Sequence, residues 1–410
     1  MVTNVKQTVT IHAANDLGAG FQKITMNGER YTFPTAYAVQ QSHEYLSPSR
    51  FVSKEDEKQY VNKLLNKLDV SIDSAVVSDK GRMYVGESAV SSNIVATRFN
   101  VVTASDKKNS DIPLIMSLST VAAKGLIASY NETNEIPSEL TVNVEMTTAL
   151  PIVEGRKNEA VDLLQERYVN SEHVVTFHNF ETPVNVTVNF VSAGVLLEGE
   201  VSYYAIEQAT DEFKKELKAD LDKHNPDFNY ITADQLIDIE NIIIVDIGES
   251  TTDKAVIEDG EIDTLKSNSL QQGYGTVLES ALEDLQSSGN VKYKTRVELQ
   301  KALAEKQSLV RRNKQEKMRE IVEAKMKRLS QEIITSTEQT LQKAVRTELI
   351  IVLGGGAIPL EPTLRSGMME MTKTADDETG LPVVFISEKY AQDLNRTGLE
   401  VMLKVLVGEE

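Results

Sequence analysis

A chain of 410 residues with 40% apolar and 26% charged side chains fits two domains of ordinary size, each able to bury its own core. It has no cysteine, which excludes disulfides, thiolate zinc sites and a Cys nucleophile. The formal net charge of −19 disfavours wrapping nucleic acid by counterion release, so any DNA is expected to be reached through a basic adaptor.

Alternating Val9 and Ile11, then Phe21, Ile24 and Met26, predict two strands. Tyr31 to Thr35 reads as a third, ending at Pro34. The polar stretch from about 40 to 75, with strand pieces at Ser74–Val77 and Met83–Val85, reads as a small insertion. Ile112 to Tyr130 has helical spacing. Leu140 to Val144 is a strand, and Met146 to Ile152 a buried edge or loop. Val174 to Val191 alternates as paired strands; Gly194 to Gln208 is expected as a helix with Ser192 as N-cap. Thr210 to Asn229 reads as a surface helix and connector. Gln315 to Val345 reads as a long helix packed on a sheet, with a coiled coil as the rival. The strand entering Gly354, a strand at Val383–Ile386 and a helix from Ser387 to Val407 complete an α/β pattern in both halves. No basic flank precedes a long apolar run at the N-terminus, and the longest apolar runs, such as Ile242 to Val245, are strand-sized. A cytoplasmic chain without membrane contact is the expectation.

Two segments share one plan. Thr8 to Gly20 and Asn241 to Thr252 each have an apolar strand, an Asp, a Gly two residues on, a polar turn and a return strand. Each return strand ends in a turn, at Asn27-Gly28 and at Asp259-Gly260. In the first, Gly18 and Gly20 let the backbone present N–H groups to an anion, Asp16 could hold hydrated Mg²⁺, and Lys23 could neutralise phosphate. In the second, Asp246, Gly248 and the hydroxyls of Ser250, Thr251 and Thr252 offer the same chemistry. Either one alone is equally an ordinary glycine hairpin; a pair argues against chance. Gly354, Gly355 and Gly356 end an apolar strand and permit a flat ligand to lie on the backbone, without the spacing of a Rossmann or P-loop motif. Gly273 and Gly275 precede a helix whose N-terminus could sit near phosphates. The five histidines lack metal-ligand spacing, and no G-x-S-x-G occurs.

The order of these motifs resembles the actin, sugar-kinase and DnaK-chaperone superfamily over nearly the whole chain. Asp246-Ile-Gly to Thr252-Asp253, Val352 to Ala357 and Phe33-Pro-Thr35 look most like the ParM-type bacterial actins of plasmid segregation. The resemblance implies an actin-like two-domain α/β fold, with duplicated ribonuclease-H-like domains, each a mixed sheet flanked by helices, and a nucleotide cleft between them. The first domain would span residues 1–192, with its insertion at about 36–92, followed by a connecting helix at 193–213. The second would span 214–387, with a helical insertion at about 276–345, before a C-terminal helix at 388–410 returns to the first. In that helix, small residues between Ala391 and Gly398 would let two helices cross at the hinge.

By the same resemblance Asp16 and Asp246 would organise Mg²⁺. Gly18, Ala19, Gly20 and Lys23 would hold the β- and γ-phosphates of ATP or GTP from one side, and Gly248, Glu249, Ser250 and Thr251 from the other. Gly354, Gly355 and Gly356 would support the base and α-phosphate side, with further base contacts between Val291 and Glu305. The family's water-positioning acid near the start of the connecting helix has no counterpart at Ser192-Ala193; Glu198, about one helical turn later, is the nearest. The implied function is a Mg²⁺-dependent nucleoside triphosphatase that polymerises with itself and segregates plasmid DNA through an adaptor. The alternatives are a small-molecule kinase of this superfamily and a cell-shape or division actin. A chaperone is disfavoured because the chain ends at Glu410, soon after the last connector.

Overall fold

The computed structural model describes residues 7–99, 107–156, 158–289, 293–305 and 312–408. Its first half runs β1 (Gln7–Leu17), β2 (Phe21–Met26), β3 (Glu29–Pro34), β4 (Tyr37–Val39), α1 (Lys54–Asn62), β5 (Asp69–Ser74), β6 (Met83–Val85) and α2 (Glu87–Ser91). It continues through α3 (Ile112–Thr133), β7 (Glu139–Leu150), α4 (Ile152–Gly155), α5 (Asn158–Val169), β8 (His173–Phe177) and β9 (Val184–Leu197). The second half begins with α6 (Glu200–Glu207), α7 (Asp211–His224), α8 (Ala233–Ile237), β10 (Ile242–Ile247), β11 (Thr252–Glu258), β12 (Glu261–Ile262) and β13 (Asn268–Leu270). It ends with α9 (Tyr274–Ser287), α10 (Arg296–Ala304), α11 (Arg312–Leu341), β14 (Leu349–Leu353), α12 (Ala357–Met371), β15 (Val383–Phe385), α13 (Glu388–Ala391) and α14 (Leu394–Val407).

The duplication is one of topology as well as sequence. The order β3-β2-β1-β7-β9 in the first sheet repeats as β12-β11-β10-β14-β15 in the second. In both, a hairpin pairs antiparallel and its first strand pairs parallel with a later one, β1 with β7 and β10 with β14. The return turns are alike: Asn27 and Gly28 have φ of 49° and 81°, Asp259 and Gly260 of 53° and 79°. Asn-Gly and Asp-Gly tolerate two left-handed residues in a row, the backbone that matches strand twist. One core fills the first domain around α3; the second sheet has a core on each face. Helices α6 and α14 pack on each other and on β1 and β7 through Ala14, Ala149, Val201, Leu399 and Leu403, joining the halves.

Several expectations change. The polar stretch after residue 40 is not an appendage: β5 lies at Asp69–Ser74, not Ser74–Val77, and β8-β5-β6-β4 extend the first sheet. Met146 to Leu150 is neither edge nor loop but the end of β7, buried between β1 and β9. It pairs parallel with Ala193 to Leu197, so the helix expected from Gly194 is a strand as far as Leu197. Ladder pairing outweighs the helical composition there. A register shift around Val191 leaves that side chain exposed. The helix starts at Glu200 after Gly199, not after Ser192; Gly199 has φ of +87°, and a Cβ there would come within 2.6 Å of Ala255. The last helix is broken at Gln392-Asp393, where the Ala391 carbonyl accepts from Gly354 N–H and the Gln392 carbonyl from Lys23. Helix α3 does have the length and hydropathy of a membrane span, contrary to the sequence reading, but that window is 94% buried.

Candidate functional site

The two turns are built alike. Gly18 N–H donates to Phe21 O at 2.9 Å, and Gly248 N–H to Thr251 O at 2.9 Å. These bonds fold each turn back on itself. The N–H groups of Ala19, Gly20, Glu249 and Ser250 have no acceptor among the described residues. Both turns line one cavity of about 210 Å³ between the domains, and Ser250 joins them around a smaller neighbouring one. The Ser250 hydroxyl is buried and also lacks a partner there. Successive turn N–H groups without an acceptor, facing one cleft, form the concave donor arrangement that suits an anion.

Carboxylates ring the same cavity: Asp16, Glu198, Asp246, Glu249 and Asp253. Asp16 and Asp246 stand at equivalent strand ends, paired with Lys23 and Asp253 in their hairpins. Lys23 Nζ lies 3.8 Å from Asp16. Asp246 accepts a 2.7 Å bond from Asn395 of α14. Burial pushes the Asp246 carboxyl up to about 6; the Asn395 bond opposes this, while Asp253 and Asp16 add to it. Glu198 lies at the β9–α6 junction, immediately before the helix rather than a turn into it. It pairs with Lys107. Burial raises its pKa, which Lys107 opposes and Asp253 and Asp246 reinforce.

Of the residues singled out by sequence, Asp16, Gly18, Ala19, Gly20, Lys23, Glu198, Asp246, Gly248, Glu249, Thr251, Gly354, Gly355 and Gly356 all line the main cavity. Gly273 lines neither cavity. It packs beneath the second turn, where a Cβ would come within 2.5 Å of the Gly248 carbonyl. Gly354 has φ of +94°, and a Cβ on it would overlap the Asp246 carboxyl, so this glycine lets β14 close on the second hairpin. No individual role follows from sequence for Lys107, Asp253, Tyr274, Arg296, Gln300, Gln392 or Asn395. Tyr274 and Gln300 line the cavity, and Gln300 falls in the segment expected to meet the base. Asp253 lies inside the second motif. Arg296 falls in the same segment as Gln300, and Gln392 and Asn395 in the Ala391–Gly398 stretch, while Lys107 lies in no singled-out segment. The partners of Lys107, Arg296 and Asn395 come from distant parts of the chain.

A family model, the C-terminal part of archaeal MreB-like actin homologues, matches residues 244–366. No curated protein matches the chain. Among solved structures, the actin-like protein Alp7A superposes with a TM-score of 0.65 at 17% identity, covering 97% of each chain. A non-polymerisable quadruple mutant of pCBH ParM gives 0.60 at 16% identity, covering 97% of this chain and 99% of its own. Bacillus thuringiensis ParM with ATP gives 0.53 at 18% identity, with the same coverage. At these identities the likeness concerns the fold, and in fold this chain is a two-domain actin-like protein.

Proposed function

We propose that the chain is a ParM-type actin. It binds and hydrolyses ATP or GTP between its domains in the cytoplasm, assembles with itself into filaments, and moves plasmid DNA through a DNA-bound adaptor. One observation carries the reading: two equivalent turns bring free N–H groups and the unpaired Ser250 hydroxyl to two adjoining interdomain cavities. That arrangement suits a polyphosphate held from both sides. ParM of Bacillus thuringiensis, solved with ATP and with ADP, has the same fold.

In this reading the turn amides and Lys23 hold the β- and γ-phosphates. Tyr274, Gln300 and the Gly354–Gly356 backbone take the nucleoside side. Glu198 orients the attacking water from the β9–α6 junction. Catalysis rests on positioning and electrostatics. An anionic nucleotide among five carboxylates needs a cation, and in this reading Asp16 and Asp246, which both line the cavity, would hold Mg²⁺. Among the described residues no three acids or histidines come close enough together to hold an ion by themselves; Mg²⁺ at phosphate sites is usually bound by one or two carboxylates together with phosphate and water. When bound, Mg²⁺ supplies charge neutralisation on the phosphate oxygens.

The test is direct. Purified protein with Mg²⁺ and ATP or GTP should bind nucleotide, release phosphate and sediment as polymer. Nucleotide binding without sedimentation at any salt or protein concentration would remove the filament from the proposal. No binding would remove the nucleotide.

A further inference from the structure

Glu249 does something a phosphate-binding turn does not require. Its side chain leaves the second turn and ends against the first. A Cβ built on Gly20 would overlap Glu249 Oε2 and meet Cδ at 3.0 Å. The other oxygen, Oε1, pairs with Arg296 Nη2 of α10 at 3.1 Å. The Arg296 side chain is only 11% exposed. Its Nη1 would lie 2.8 Å from a Cβ on Gly275 and finds no acceptor among the described residues. Arg98 of the first domain feels both groups: burial and Arg296 push its guanidinium down, and Glu249 opposes them.

A carboxylate beside free turn amides, backed by an under-used guanidinium, stands where an anionic ligand would stand. We infer that Glu249 is a built-in competitor for the polyphosphate: its carboxylate occupies part of the anion cradle, and a bound phosphate chain turns it out and takes over Arg296. The inference rests on the nucleotide reading of this cleft. Gly20 has no side chain to block the crossing, and the approach leaves room for nothing larger than glycine. Displacing Glu249 leaves Arg296, with one donor already unpaired, available to phosphate oxygens. Charge-assisted bonds from a buried guanidinium are strong and fork-shaped, so the exchange favours a ligand with several phosphates over one with few.

The experiment measures dissociation constants for inorganic tripolyphosphate and for ATP and GTP by calorimetry, in Mg²⁺ buffer. It compares the full chain with E249A, E249Q, R296A and the E249A/R296A pair. E249A and E249Q should bind tripolyphosphate about tenfold tighter than the parent, because the competing charge is gone. R296A should bind more weakly, and the double variant should lose most of the gain, as expected for coupled residues. E249Q keeps the shape of the side chain, so it decides the matter if E249A melts early. Parent binding with E249Q within twofold of it, or weaker, overturns the inference and leaves the nucleotide reading intact. Failure of the parent and every variant to bind tripolyphosphate or nucleotide overturns both.

Discussion

At Asp246, burial pushes the carboxyl up to about 6, so the folded chain holds its proton where the unfolded chain has lost it. Stability from this group is therefore fullest at low pH and is lost as pH rises from the ordinary carboxylate value of about 4 to about 6. A divalent cation needs the ionised form, so Mg²⁺-nucleotide affinity should climb as pH approaches about 6 and level off above it. Asp246→Asn should flatten that climb and weaken Mg²⁺-dependent binding by about tenfold or more, read from dissociation constants between pH 5 and 7.5. An unchanged pH profile in Asp246→Asn would move the cation elsewhere. Lys254 is the opposite case on the neighbouring strand, β11. It is fully buried, and its Nζ reaches one acceptor among the described residues, the Thr252 carbonyl at 3.4 Å. Burial pushes it down to about 8. The cost of the buried cation is present at neutral pH and fades as pH rises from about 8 toward the ordinary lysine value. Lys254→Met should therefore raise stability by about 1–3 kcal/mol at pH 7, with a smaller gain at pH 10. Thermal melts at the two pH values test this, and a loss of stability at pH 7 would mean the ammonium is better held than its contacts indicate.

Among the elements, the crossing of α6 and α14 does most to join the domains. A Cβ on Gly398 would overlap the Val201 carbonyl, which is backbone and cannot turn aside. Gly398→Ala must push the helices apart, costing at least ~1–3 kcal/mol, and must disturb Asn395, one helical turn earlier, which holds Asp246. Melting temperature and nucleotide affinity should fall together. Unchanged affinity in a destabilised variant would uncouple this crossing from the cleft. The sequence carries the elements whose cause is local. An apolar run with a glycine turn specifies β10, β14 and both hairpins, and small residues at Ala391–Gly398 mark the crossing. It does not carry β9 as far as Leu197, because Ser192 to Leu197 would suit a helix if Met146 to Leu150 did not lie beside it. For the same reason Glu198 reads as misplaced in the chain and sits in the cleft once the strand is drawn to its real end. Arg296 and Lys107 come from segments with no motif, so only the closed fold brings them to Glu249 and Glu198.

For the whole molecule, charge sets the conditions of assembly. Copies of a chain carrying −19 repel one another, and that repulsion must be overcome by any contact between them. Screening shortens its reach from about 30 Å at 0.01 M ionic strength to about 8 Å at 0.15 M. Apolar and backbone contacts, which form only at close range, lose little to salt. Assembly driven by such contacts should therefore need less protein as salt rises. Ion-pair contacts between oppositely charged faces would behave in the reverse way, since salt screens attraction as well. At saturating Mg²⁺-nucleotide, raising KCl from about 50 to about 200 mM should lower the protein concentration at which polymer first sediments. The same shift should follow added Mg²⁺ beyond nucleotide saturation at constant ionic strength, if the ion also bridges acidic faces. A critical concentration that rises steadily with KCl would place complementary charge, rather than shape and apolar contact, at the junction between copies.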